Sequence, residues 1–175
     1  MGSCLGPTLA NAFLCHHEKI WLSECPESFK PLYYRRYVDD TFLLFKRSED
    51  VQPFLDYLNL KHPNIKFTHE LEKQSSLSFL DVLVKRTSDG PETSIYRKPT
   101  FTGLCLNFNS FVPRLFKVNT IKTLLHRCYS LSSNWGTFND EIKFLTEFFQ
   151  NNNYPLKLIE SCISNFLNNI FCKKN

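Results

Sequence analysis

Two adjacent acids, Asp39 and Asp40, sit between runs rich in aromatic and β-branched side chains: Tyr33-Tyr34-Arg35-Arg36-Tyr37-Val38 before them and Thr41-Phe42-Leu43-Leu44-Phe45 after. Such runs read as strands, and the acids between them as a tight hairpin turn. Carboxylates a few ångströms apart raise each other's pKa, a cost that a divalent cation removes. Magnesium is usually held by one or two carboxylates together with substrate phosphates, as in polymerase sites. A solvated Asp-Asp turn without chemistry is the plain alternative.

The elements around this hairpin follow from periodicity. Pro7 suits the first turn of a helix, and Leu9, Phe13, Leu14, Ile20 and Trp21 fall on one helical stripe. Gly2 and Gly6 just ahead permit close backbone approach. Residues 23–31 form a loop into the hairpin. Ser48 with Glu49 and Asp50 marks a helix start, Phe54, Leu55 and Leu58 its inner face, and Pro63 its end. Ile65, Phe67 and Leu71 alternate with Lys66, Thr68, Glu70 and Glu72, which predicts a half-buried strand. Further strands are expected over 77–86 and 93–97, joined by the turn Ser88-Asp89-Gly90-Pro91. Asp81 interrupts an apolar strand, so it must bond to local backbone, find a charged partner or face a ligand.

After Pro99 the pattern becomes helical. Val118, Ile121, Leu124, Leu125, Cys128 and Tyr129 mark one helix. Thr137 with Asp140 opens a second that carries Ile142, Leu145, Phe148 and Phe149. Pro155 opens a third, with Ile159, Cys162, Ile163, Phe166, Leu167 and Ile170 on its face. Strands followed by helices without alternation give an α+β class and two parts, 1–98 and 99–175.

Composition narrows the classes further. With 42% hydrophobic and 15% aromatic residues, the 175-residue chain can bury a core and is not a disordered sequence. No apolar run reaches the length of a membrane span. Cys15-His16-His17 with Cys25 could be drawn as a zinc site, but no Cys-x-x-Cys pair supports it, and reduced, mostly buried thiols are the better reading. The net charge of +4 conceals an asymmetry. Residues 93–139 hold no acid, while Arg97, Lys98, Arg114, Lys117, Lys122 and Arg127 make that block +6 and leave −2 elsewhere. Charge so separated suggests a polyanion along one part of the surface, with a chance run of solvated bases as the alternative.

Several motifs also carry a resemblance. Tyr37-Val38-Asp39-Asp40 looks like the Tyr-x-Asp-Asp box of reverse transcriptases, and Met1-Gly2-Ser3-Cys4-Leu5-Gly6-Pro7-Thr8-Leu9-Ala10-Asn11 resembles the motif that precedes it. His62-Pro63-Asn64-Ile65-Lys66-Phe67-Thr68, Phe79-Leu80-Asp81-Val82 and Tyr96-Arg97-Lys98-Pro99-Thr100 follow in the order of Penelope-like retroelements. The likeness runs from the first residue to about Pro155.

This resemblance implies a partial right-hand polymerase palm over 1–98 and an all-helical thumb over 99–175. It implies two magnesium ions, with Asp39 bridging and Asp40 supporting, Tyr37 and Val38 beneath the primer terminus, and Gly2, Ser3, Gly6 and Pro7 shaping the pocket. Lys66 would assist the departing pyrophosphate. Arg97, Lys98, Arg114, Lys117, Lys122 and Arg127 would hold backbone phosphates. The implied partners are an RNA template, a DNA primer duplex and deoxynucleoside triphosphates, with no membrane and no obligate protein partner; the implied location is intracellular, and nuclear if the chain works as a retroelement enzyme. The chain departs from that family in lacking the earlier palm Asp, the fingers and an endonuclease, so it is expected to be inactive alone and to expose an apolar sheet edge. Cys4 and Asn153 stand where Pro and Gly are expected. A second reading is a non-catalytic nucleic-acid-binding module, in which the basic helical part is helix-turn-helix-like.

Overall fold

The computed structural model describes residues 4–172, in two compact units, Met1–Leu71 and Glu72–Asn175. The class is α+β: among the described residues there are five α-helices and two small antiparallel sheets. The strands do not join into one palm-like sheet, because β1–β2 and β3–β4–β5 hydrogen-bond separately.

In the first unit, helix α1 (Gly6–Ser23) begins with Pro7 in its first turn and is followed by β1 (Tyr33–Tyr37), β2 (Asp40–Leu44) and α2 (Val51–Lys61). Trp21, Cys25, Phe54 and Leu58 form the buried core, with Tyr34, Leu43, Phe45 and Phe67 against it. The apolar stripe expected on α1 is covered only near its C-terminal end. Trp21 is buried, whereas Leu9, Phe13 and Ile20 remain exposed.

Ser48 makes no side-chain cap: a 3-10 turn over Ser48–Asp50 precedes α2, and Arg47 pairs with the buried Asp50 at 2.8 Å. The strand expected from Ile65 to Leu71 does not form. Phe67 has the Asn59 side chain as its partner instead: its N–H donates to Oδ1 at 2.7 Å, and Asn59 Nδ2 donates to its carbonyl at 3.1 Å. One amide thus satisfies both backbone groups that a neighbouring strand would have bonded.

In the second unit, β3 (Ser76–Phe79), β4 (Val82–Thr87) and β5 (Gly90–Ile95) form a meander. The single strand expected over 77–86 is split by a two-residue turn at Leu80 and Asp81, with Phe79 paired to Val82 and Leu80 at φ +55°. Helices α3 (Arg114–Leu131), α4 (Trp135–Asn151) and α5 (Leu156–Cys172) follow. Ile121, Leu125, Cys128, Phe138, Leu145, Phe149 and Ile159 are central to the core, and Ile95 of β5 packs against it.

Helix α4 starts at Trp135 with Asn134 as its N-cap, earlier than Thr137. The Asn134 carboxamide oxygen accepts from the Thr137 N–H at 2.8 Å, so Thr137 is the capped residue, not the cap. The β-meander packs with the helices that follow it. Thr93 exchanges bonds with Ser133 of the α3–α4 turn, Asp81 pairs with Arg127 of α3, and Arg97 pairs with Glu141 of α4. The division between units therefore falls at Leu71/Glu72, where sequence pattern alone placed it near Pro99.

Candidate nucleic-acid interface

The hairpin closes at the pair Tyr37–Asp40, so Val38 and Asp39 form the two-residue tip and Asp40 opens β2. Val38 sits at φ +57°, a strained conformation for a β-branched residue. Tyr37, Val38, Asp39 and Asp40 are all exposed. Arg36 holds the tip in place. Its Nη1 donates to the Val38 carbonyl at 2.7 Å, its Nε to Glu18 Oε1 at 2.6 Å and its Nη2 to Asn11 Oδ1 at 3.1 Å. The Tyr34 hydroxyl donates to the same Glu18 oxygen at 2.6 Å. The buried charges of this unit include Glu18 and Arg36, whose side chains are 10% and 7% exposed, while the Asp39–Asp40 pair faces water.

Among the described residues, no group of three or more His, Cys, Asp or Glu could hold a metal ion. Asp39 and Asp40 are two exposed carboxylates of a single turn. All seven cysteines are free, and Cys25 is buried. His17 stacks on Trp21 at 5.4 Å. Gly6 and Pro7 lie in the first turn of α1, while Gly2 and Ser3 lie outside the described residues. Lys66 donates to the Asn59 carbonyl at 2.9 Å, where it caps the last turn of α2.

The six basic residues of the acid-free stretch divide by what they touch. Arg97 donates to Glu141 at 3.0 Å and lies 3.6 Å from the Phe144 ring centroid. Burial pulls its pKa below the usual arginine value. Lys117 is buried and donates to the Ser110 carbonyl at 2.7 Å. Arg127 pairs with Asp81 at 2.9 Å. Lys98, Arg114 and Lys122 are exposed, and their side chains have no hydrogen bond or ion pair among the described residues. Burial raises the pKa of the Cys162 thiol on α5, and the charges of Lys122 and Arg114 oppose that rise.

Helix α5 carries a surface that the sequence reading passed over. Ile159 and Cys162 are buried in the core, and Ile163 and Phe166 pack against it. The opposite stripe, Lys157, Glu160, Ser161, Ser164, Asn165 and Asn168, is exposed, and none of these side chains has a partner among the described residues. The spacing keeps them on one side of the helix. The exposed residues of α4 include two acids, Asp140 and Glu147, which would repel phosphates, against the one, Glu160, on α5. The four residues Asn152–Pro155 join α4 to α5, with Asn153 at φ +66° where glycine is the usual choice. Asn152, also missed, is buried. It accepts from Cys105 N–H at 3.0 Å, donates to the Gly103 carbonyl at 2.9 Å and to Phe148 at 2.8 Å, and so straps the 103–108 loop to the end of α4. Its one signal was its place in an Asn run directly after a helical pattern.

Residues 104–164 match the model of the animal helix-turn-helix domain family. The match begins in the strapped loop, takes in α3, α4 and their turns, and ends within α5. No curated protein and no solved structure matches the chain. The expected resemblance to reverse transcriptases of Penelope-like retroelements is thereby overturned: the family that matches is a helix-turn-helix one, over residues that the resemblance had assigned to a thumb. The match points to nucleic-acid binding. Among the described residues no helix is long and apolar enough to cross a membrane.

Proposed function

We propose that the helical part of this chain binds double-stranded DNA, with α5 as the helix that enters the major groove. The observation that carries the reading is the unpaired polar stripe of α5 on a three-helix fold that matches a helix-turn-helix family. In such domains the helix after the turn lies in the groove, where its side chains reach base edges. The B-form major groove admits a helix, whereas the A-form groove of RNA is too narrow, which favours DNA. Asn165 and Asn168 have the carboxamides that pair with adenine, Ser161 and Ser164 bond to either kind of base, and Lys157 meets phosphate at the helix N-terminus. Arg114 and Lys122 supply further backbone contacts.

The test is fluorescence anisotropy with a duplex selected from a random pool. Asn165→Ala should cost about 1–3 kcal/mol on the selected sequence and relax its preference, whereas Lys157→Ala should weaken all duplexes alike and flatten the salt slope by about 1. If both variants bind as the parent does, α5 is not the reading helix.

A further inference from the structure

The C-terminal end of α5 presents an aromatic pair beside the polar stripe. Phe171 stacks on Trp135 of α4, with ring centroids 5.8 Å apart and planes 14° from parallel. Yet Trp135 is 51% exposed and Phe171 56%, so the stack leaves about half of each residue in water. Trp135 in turn meets the buried Phe138 at 5.5 Å and the half-buried Tyr129 at 6.2 Å, which gives Phe171 a support anchored in the core. Phe171 stands three residues after Asn168 and seven after Ser164, spacings that put it on the side of the helix that carries the stripe. It is about 4.5 Å beyond Asn168 along the axis, on the order of one base-pair step. Glu160, the acid of the stripe, is eleven residues away.

We propose that Phe171 is a specificity-determining residue: its ring, held by Trp135, meets the 5-methyl group of a thymine in the major groove, next to the base that Asn168 contacts. The base edges in that groove present hydrogen-bonding groups, and the thymine methyl is the apolar group among them. An exposed ring that continues a base-reading stripe therefore has one partner there to shield from water. The stack on Trp135 restrains the ring before binding, which reduces the entropy lost on contact. A pair that served only to close the core would be buried, as Phe138 and Phe149 are. The inference rests on the duplex reading above and adds a base identity to it.

Fluorescence anisotropy of the full chain with the selected duplex, its thymines replaced by uracil one at a time, tests it, because each replacement deletes one methyl and keeps the base pairing. One such uracil should weaken binding by the parent about fourfold, the size expected for a methyl removed from water. Phe171→Ala should weaken the thymine duplex by about the same factor and lose nothing further with that uracil, the mark of a direct contact in a double-mutant cycle. Phe171→Leu, which keeps an apolar side chain on a good helix former, should keep the thymine preference. Circular dichroism of both variants should match the parent, since the position is exposed. If no uracil weakens the parent, or the penalty is as large in Phe171→Ala, the inference is overturned, and sensitivity to Asn165→Ala then leaves the duplex reading standing. Indifference of binding to Asn165→Ala, Lys157→Ala and Phe171→Ala together overturns both.

Discussion

Arg36→Met will strip the first unit of about 3–5 kcal/mol of stability, the usual consequence of removing one member of a buried, hydrogen-bonded ion pair. The loss is large because Arg36 makes several bonds. With it gone, Glu18 keeps one hydrogen bond, from Tyr34, and a charge that is almost out of water. The Val38 carbonyl at the strained hairpin tip also loses its donor. Urea unfolding followed by Trp21 fluorescence, in a Trp135→Phe background, measures the effect on this unit.

The same cluster makes stability depend on alkaline pH. Burial first, and the hydrogen bond to Glu18 second, raise the Tyr34 pKa well above its ordinary value of about 10. The folded unit therefore keeps a proton that the unfolded chain releases. Its contribution is complete below about pH 10 and falls as pH rises beyond that, by up to about 1.4 kcal/mol per pH unit. Tyr34→Phe should remove this slope. A slope unchanged in the variant would assign it to another group.

Phe149→Ala should cost the second unit about 3–5 kcal/mol. Phe149 is wholly buried on α4, and its ring meets Phe148 at 5.3 Å and Tyr154 at 5.0 Å. Its carbonyl accepts from the N–H groups of Asn152 and Tyr154, so the same residue that fills the core also ends the helix and sets the turn into α5. A cavity there disturbs the α4–α5 geometry, and duplex affinity should fall together with stability. Thermal unfolding by circular dichroism checks the first effect. Phe116→Ala, at an exposed position, should leave the melting temperature within about 1 °C, which separates residues that build the fold from residues that present a surface.

The contrast between those two phenylalanines shows how much could be read from sequence. Helical spacing located the inner faces of α3, α4 and α5, because core positions repeat with the helix period. Asn153 was marked as standing in for glycine, and it does adopt a left-handed conformation. Other features depended on partners that spacing does not reveal. Acid-free sequence singled out six bases together, but Arg97, Lys117 and Arg127 are engaged by Glu141, Ser110 and Asp81 from other elements. The period-two pattern after Pro63 was real, yet Asn59 replaced the strand it would have paired with. The α5 stripe was invisible for the opposite reason. Ser and Asn on the outer side of an amphipathic helix look like any solvated face until a fold shows them unpaired beside exposed bases. The acid pair drew attention because paired carboxylates suit metals, but the fold spends its buried charge at Glu18 and Arg36 instead.

Hydrogen exchange of the full chain with and without a selected DNA duplex tests the central claim most directly. Slowed exchange is expected along α5 and in the Asn152–Pro155 turn, with the β1–β2 hairpin unchanged. Protection at the hairpin with none on α5, or no protection at any duplex concentration, would contradict it.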